Sequence, residues 1–204
     1  SLVGSEMCIR DSSGHVRIYN WNGSSWSQLG QYIDGESSYD NSGYSVSLSG
    51  DGNRLIMGSP HSPTSYGRVY HYENNTWSDV TGIASSLMGP MGWSVSMSRD
   101  GNTFAVGNRG WDSPNTNSGK VFVMRYINNA WTQIDGDILN GTAVDENYGS
   151  SVSLSSNGDR LAVGSTGNNK VIVYETAYAA NNTCPVAVND TIKMYGPFGP
   201  HLVG

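Results

Sequence analysis

The sequence has few charged residues and no long apolar run. Only 14% of its 204 residues are charged, the formal net charge is −6, and the basic residues form no cluster. Nucleic-acid binding through phosphate neutralisation is therefore not expected. Since no stretch of about 18 apolar residues is present, we also expect no transmembrane helix.

Cysteine is scarce as well, with only Cys8 and Cys184 in the chain. Two cysteines this far apart in sequence are weak evidence for a disulfide, and neither has a partner at metal-ligand spacing. The four histidines form no cluster, and no Ser-His-Asp or Cys-His arrangement appears. We therefore predict that the protein is not an enzyme and that it holds no metal.

Glycine, serine, asparagine and tyrosine are abundant, with 26 glycines and 12 tyrosines. This composition is typical of short strands joined by tight turns. Aromatic residues make up 10% of the chain and the apolar residues are regularly spaced, which argues against disorder.

A four-part pattern recurs along the chain at intervals of about 50 residues, a period typical of propeller blades. Each unit has a Gly-x-Ser-Val-Ser segment, a turn followed by an apolar run, a second apolar strand after a Gly or Asn, and a segment with a tryptophan. The first segment begins at Gly43, Gly92 and Gly149, and the tryptophans are Trp26, Trp77 and Trp131.

The pattern within each unit predicts four antiparallel strands, which we call A, B, C and D. Apolar and serine residues alternate in strand A, so Val46 and Leu48 share a face. Asp-Gly or Asn-Gly lies in the turn that follows, a strong hairpin signal because glycine accepts positive φ. Four such strands form a blade of a β-propeller. We therefore predict an all-β fold, a β-propeller fragment of about three four-stranded blades.

The repeat units lie near residues 14–42, 43–91, 92–148 and 149–176. The first unit contains only strands C and D, and the last contains A, B and C. Neighbouring blades of a longer parent chain are expected to cover the ends. Residues 1–12 break the pattern and resemble a non-native segment. Residues 177–204 also leave it, as an irregular linker, a degraded fourth strand or the start of another region.

Strands A and B and the turn between them resemble the FG-GAP repeat of integrin-α-type propellers. The resemblance is carried by Gly43-Tyr44-Ser-Val before the Gly-Asp-Gly turn, and by Gly58-Ser59-Pro60 where the family has Gly-Ala-Pro. It implies a propeller of about seven blades and a carboxylate-rich calcium loop between strands A and B. The positions that match this loop are Ser47, Ser49, Asp51 and Leu55 in the first complete unit. One carboxylate is too few for calcium, so no cofactor is expected.

The loops favour a binding function. In an antiparallel blade the A–B and C–D turns share one face, while the B–C and D–A connections share the other. The second class is long here, and variable loops on a rigid scaffold are where binding usually resides. The predicted ligand-binding residues are Trp111, Asp112, Tyr66, His61, Tyr39 and Asp40. Trp26, Trp77 and Trp131 are expected between blades, and Tyr44 and Trp93 at an inner rim.

The sequence thus predicts a non-catalytic binding or adhesion module with a protein or glycan ligand. Asn-x-Ser/Thr sequons begin at Asn22, Asn74, Asn140, Asn181 and Asn189, which is compatible with an extracellular or cell-surface location. Two alternatives remain. Acidic residues in the D–A connections could act as an acid/base pair in a propeller-fold glycosidase or lyase, or the chain could be a structural spacer.

Overall fold

The computed structural model describes residues 13–61, 67–81, 92–134 and 139–175, together with the backbone of 186–187 and 192–193. The regular elements in these ranges are seventeen β-strands. The described part of the chain contains no helix with the length and hydropathy needed to cross a bilayer.

The first strands form two small antiparallel pairs, which together we call blade 1. Strand β1 (His15–Val16) pairs with β4 (Ile33–Asp34), and β2 (Tyr19–Trp21) pairs with β3 (Trp26–Gln28). Blade 1 contains the predicted strands C and D. Each of them is divided into two short strands, β1 and β2 for C and β3 and β4 for D.

Two complete four-stranded antiparallel sheets follow, each with its strands in chain order. Blade 2 consists of β5 (Ser45–Leu48), β6 (Arg54–Gly58), β7 (Gly67–Glu73) and β8 (Thr76–Asp79). Blade 3 consists of β9 (Ser94–Met97), β10 (Thr103–Asn108), β11 (Lys120–Ile127) and β12 (Ala130–Gln133). The predicted fold class, all-β with four-stranded antiparallel blades, is confirmed.

Blade 4 is built on β13 (Tyr148–Leu154), β14 (Arg160–Ser165) and β15 (Lys170–Glu175). Two short strands within residues 177–204, β16 (Val186–Ala187) and β17 (Ile192–Lys193), pair antiparallel with opposite ends of β15. In the preceding blades β8 and β12 occupy this edge position. Part of the segment that the sequence analysis placed outside the repeat is therefore paired with its last sheet.

The core lies between successive blades. In β6, Leu55 and Met57 pack against blade 1 while Ile56 packs against blade 3, as the two-residue period of a strand requires. In β10, Phe104 and Val106 likewise face blade 2 and Ala105 faces blade 4. The inner strands are therefore buried on both faces, which explains why their sequences are nearly continuous apolar runs.

Two of the strand D tryptophans form hydrogen bonds to the preceding blade. Trp77 donates from Nε1 to the Leu29 carbonyl over 2.9 Å, and Trp131 donates to the Val80 carbonyl over 3.1 Å. Only 3% and 4% of these side chains are exposed, so their predicted position between blades is confirmed. Trp26 is 67% exposed, contrary to the same expectation, because the described chain places no blade in front of blade 1.

The serines of strand A also join blades. Ser47 Oγ accepts the Met97 N–H over 3.0 Å, and Ser96 Oγ accepts the Leu154 N–H over 2.9 Å. Each serine thus satisfies a backbone donor on the following blade. The serine face of strand A in blades 2 and 3 is therefore turned toward the following blade, whereas Val46 and Leu48 on the opposite face of β5 are exposed.

Candidate functional site

The blades present two faces with different connections. The short β5–β6, β7–β8, β9–β10, β11–β12 and β13–β14 turns lie on one face, which we call the turn face. The strand ends that the longer β6–β7, β8–β9, β10–β11 and β12–β13 connections join lie on the opposite face, which we call the loop face. This division follows from the antiparallel strand order and agrees with the predicted parity.

Side chains of the A–B turns bond within their own turns. Asp51 Oδ1 accepts two hydrogen bonds, from Ser49 Oγ over 2.5 Å and from the Asn53 N–H over 3.0 Å. Ser49 Oγ in turn accepts the Arg54 N–H over 2.9 Å. Asp100 makes the equivalent bonds in blade 3. In the described residues no three His, Cys, Asp or Glu side chains cluster as metal ligands would. The geometry therefore gives these carboxylates a structural role in the turn.

The carboxylates of the A–B turns make the free energy of unfolding depend on pH. Hydrogen bonds from Ser49 and Asn53 lower the pKa of Asp51. Burial opposes the shift at Asp100, but hydrogen bonds from Ser98 and Asn102 outweigh it and lower that pKa too. A carboxyl with a lower pKa in the folded state stabilises the fold above its unfolded pKa, and this stabilisation is lost as the pH falls through the folded value.

We therefore expect the Asp51→Asn, Asp100→Asn double variant to lose less stability than the parent chain when the pH falls from 6 to 2.5. Urea unfolding across this range measures the difference. Blade 4 provides a control because Asn157 already occupies the same turn position and accepts the Ser155 hydroxyl. The Asn157→Asp, Asp159→Asn double variant recreates the Asp–Asn order of the other two turns and should steepen the acid dependence, whereas coincident pH curves for all the variants would contradict the assignment.

A cleft of about 460 Å³ opens on the loop face between blades 2 and 3. Two tryptophans contribute to its wall, Trp93 just before β9 and Trp111 in the β10–β11 loop. The described residues that line it are Pro60, Trp93, Asn108, Gly110, Trp111, Asp112 and Ser113. Its volume lies in the range usual for small-ligand pockets.

Trp93 is the centre of an aromatic and cationic group. Its ring lies 5.1 Å from that of Tyr44 and 5.6 Å from that of His61, in edge-to-face geometry. The Arg109 guanidinium stacks 3.9 Å from the Trp93 ring centroid, a favourable cation–π distance. Tyr44 and Trp93, both expected at an inner rim, are in contact with each other, and Arg109 packs on the same ring.

Trp111 and Asp112 are held by the β10–β11 loop. The Trp111 ring packs edge-on to Phe122 with a centroid separation of 6.4 Å, so one part of it belongs to the blade interface. Asp112 Oδ1 accepts the Asn117 N–H over 2.9 Å, while the residue itself is exposed. The loop thus fixes Asp112 and leaves its carboxylate accessible at the rim of the cleft.

The other predicted ligand-binding residues have different surroundings. His61 is exposed and its Nδ1 lies 2.8 Å from Asn41 Nδ2, beside the Trp93 wall. Tyr39 is 78% exposed, and it is not among the described residues that line the cleft. Tyr66 lies outside the described residues.

Asp40 is fully buried. Its Oδ2 accepts the Ser37 N–H over 2.9 Å, so the carboxylate closes its own turn. Glu146 has the same place before blade 4 and accepts the Thr142 and Ala143 N–H groups over 2.6 and 3.0 Å. Sequence alone did not distinguish these buried acids from exposed ones, because both types occur in polar loops.

Arg109 and Asn108 were missed by the sequence analysis. Asn108 ends β10 and is 3% exposed, and its Oδ1 accepts the Gly110 N–H over 3.1 Å. A signal was available in the repeat, because Asn108 occupies the position of Ser59 and Ser165. No pattern indicated that Arg109 would stack on Trp93.

No family model and no curated protein matches this sequence. Solved structures do match: putative 6-phosphogluconolactonases from Bacteroides uniformis and Bacteroides fragilis, each with a TM-score of 0.57 and with 9% and 14% identity. A protein from Lactobacillus plantarum matches with a TM-score of 0.51 and 13% identity. The matches cover 89%, 88% and 89% of this chain, but 49%, 49% and 48% of those chains.

These likenesses define the class of fold. The chain has the fold of a partial β-propeller and spans about half the length of the solved propellers that it matches. At 9–14% identity the likeness shows the fold alone.

Proposed function

We propose that the protein is a non-catalytic, extracellular or cell-surface binding module, related to FG-GAP propellers, whose ligand occupies the loop-face cleft. The observation that carries this proposal is the position of Trp93 and Trp111 in the wall of one cleft. Both side chains are only partly buried. Partly exposed tryptophans offer an apolar contact surface at little conformational cost and are enriched where proteins bind ligands.

The chemistry of the cleft favours a glycan. A sugar ring has an apolar C–H face, which an indole ring can cover, and a rim of hydroxyl groups, which need hydrogen-bond partners. The Asp112 carboxylate and the Ser113 hydroxyl lie at the cleft beside Trp111 and can supply these partners. Aromatic faces combined with a few fixed polar groups are typical of small-ligand sites.

The buried acids favour binding over hydrolysis. A glycosidase needs two carboxyl groups that flank the scissile bond, whereas Asp40 and Glu146 are buried and hold turns. The two solved lactonase-like structures carry no argument for that activity here, since their likeness concerns the fold. The structural-spacer alternative predicts no ligand at all, and the experiment below separates it from binding.

Trp111→Ala is expected to lower glycan affinity at least tenfold, because the stacking surface is lost. The assay is a glycan array with the full chain, followed by titration of each hit. Asp112→Asn tests the polar contact separately, because an amide oxygen can still accept the Asn117 N–H while the charge is removed. Trp21→Ala serves as the matched control, since Trp21 is 48% exposed and lies at the turn-face end of blade 1.

Loss of binding in Trp111→Ala with normal binding in Trp21→Ala would support the proposal. Binding that is unaffected by changes at Trp93, Trp111 and Asp112 would contradict it. A blank glycan array together with Trp111-dependent capture of a purified cell-surface protein would assign the cleft to a protein ligand instead. A blank result in both assays would favour the spacer.

A further inference from the structure

The sequon at Asn74 lies in a turn that can carry a large modification. Asn74 and Asn75 have φ angles of 52° and 63°, and Glu73 pairs with Thr76 across the hairpin. Positive φ at both central residues of a two-residue hairpin defines a type I′ turn. All four residues of the turn are exposed, so the Asn74 side chain projects from the turn face at the end of β7 and β8.

The two other sequons in the described residues have more restrictive surroundings. Asn22 Oδ1 accepts the Ser24 and Ser25 N–H groups over 3.0 and 2.9 Å, and its Nδ2 donates to Ser25 Oγ over 3.1 Å. The Asn22 amide is therefore folded back onto its own turn.

Asn140 is only partly exposed and forms a β-bridge with Lys120. The next residue, Gly141, packs so closely on the Ser118 carbonyl that even a Cβ atom has no room. A glycan at Asn140 would therefore have to leave through the packed junction between the β10–β11 and β12–β13 connections.

We propose that Asn74 carries an N-linked glycan and that Asn140 does not. This proposal rests on the extracellular location proposed above. In the reaction, Asn74 Nδ2 attacks C1 of the first sugar of a lipid-linked oligosaccharide. An N–C1 bond forms, the C1–O bond to the lipid pyrophosphate breaks, and the Nδ2 proton leaves as the pyrophosphate departs.

A glycan at Asn74 leaves the cleft accessible. Strand β7 runs from Gly67, near the loop face, to Glu73 beside the turn. Seven residues of extended strand span roughly 20 Å, so the sugar projects from the face opposite to the ligand. The glycan would shield the turn face of blade 2 and leave the loop face as the surface open to a partner.

The test is site occupancy in the full chain, secreted from eukaryotic cells behind a cleavable signal. Enzymatic release of the glycan in heavy-oxygen water converts each modified asparagine to labelled aspartate, which peptide mass spectrometry counts. We expect occupancy above half at Asn74 and at least fivefold lower at Asn140. Asn74→Gln should remove one glycan from the intact mass.

Blade 3 provides a matched control in the same geometry. Asn128 and Asn129 have φ angles of 50° and 62° in the equivalent turn, where Ile127 pairs with Ala130. Ala130→Thr completes a sequon at Asn128 and should add one glycan, because the turn is the same.

An unmodified Asn74 overturns the proposal, whether or not Asn128 becomes modified in the Ala130→Thr variant. Equal occupancy at Asn74 and Asn140 also overturns it, because the local surroundings of an asparagine would then not determine whether it is glycosylated. Failure of the glycan proposal can be distinguished from failure of the binding proposal. Ligand binding measured on enzymatically deglycosylated protein depends on the cleft and not on the glycan.

Discussion

Gly107→Ala is expected to destabilise the protein by roughly 3 kcal/mol, near the upper end for overpacking a core. A Cβ atom at this position would lie well inside van der Waals contact with the Gly149 carbonyl and with Ser94 Oγ. The Gly149 carbonyl belongs to the following blade and accepts the Ser94 hydroxyl over 2.8 Å. The added methyl group would therefore have to separate blades 3 and 4. Urea unfolding at neutral pH measures the loss.

Gly164→Ala is the matched control, because Gly164 has the same position in blade 4. There the three atoms nearest to the added Cβ all belong to Ser151, and Ser151 is exposed. A short exposed side chain can rotate away, so we expect a loss of less than about 1 kcal/mol. Gly58→Ala in blade 2 should behave like Gly107→Ala, since its Cβ would meet the Gly92 carbonyl. Equal losses at Gly107 and Gly164 would contradict the inter-blade explanation.

This glycine shows what the sequence could and could not predict. The Gly58-Ser59-Pro60 segment supported a resemblance to FG-GAP repeats, but the pattern gave no reason for the glycine. The structure supplies one, since strand B passes close to the backbone at the start of the next strand A. Contacts between residues 34 positions apart (Gly58 and Gly92) and 42 positions apart (Gly107 and Gly149) leave no local periodicity, so only the recurrence of the glycine could indicate them.

The strands themselves were predictable because their signals are local. Alternation in strand A, the Asp-Gly and Asn-Gly turns, and the Asn-Asn hairpins all act within a few residues. The polar role of the serines was not predictable, because Ser47 and Ser96 bond to the backbone of the next blade. A serine that faces solvent and a serine that faces another blade produce the same alternation.

The candidate site was predictable only in part. Loop parity identified the face, and Trp111 and Asp112 line its cleft. Asp40 was grouped with them although it is buried in its own turn, because side-chain direction in an irregular loop depends on backbone angles that composition does not specify. Arg109 was missed for the same reason.

The buried tryptophan of strand D stabilises the contact between neighbouring blades. Trp131→Ala is expected to cost about 3–5 kcal/mol, the usual cost of truncating a buried aromatic residue to alanine. The indole is 4% exposed and packs 4.7 Å from the Phe104 ring. Its loss would also leave the Val80 carbonyl, which now accepts the Trp131 N–H, without that donor. Thermal and urea unfolding measure the effect.

Trp26→Ala tests the same residue type where the neighbouring blade is missing from the described chain. Trp26 keeps a tilted contact with Trp21 at 5.4 Å, as Trp131 does with Tyr126 at 5.2 Å, so the contact within the hairpin is matched. The two positions therefore differ mainly in the inter-blade contact, and Trp26→Ala should cost less than about 1 kcal/mol. If both substitutions cost the same, the hairpin contact would account for the stabilisation, and the inter-blade role of the tryptophan would be wrong.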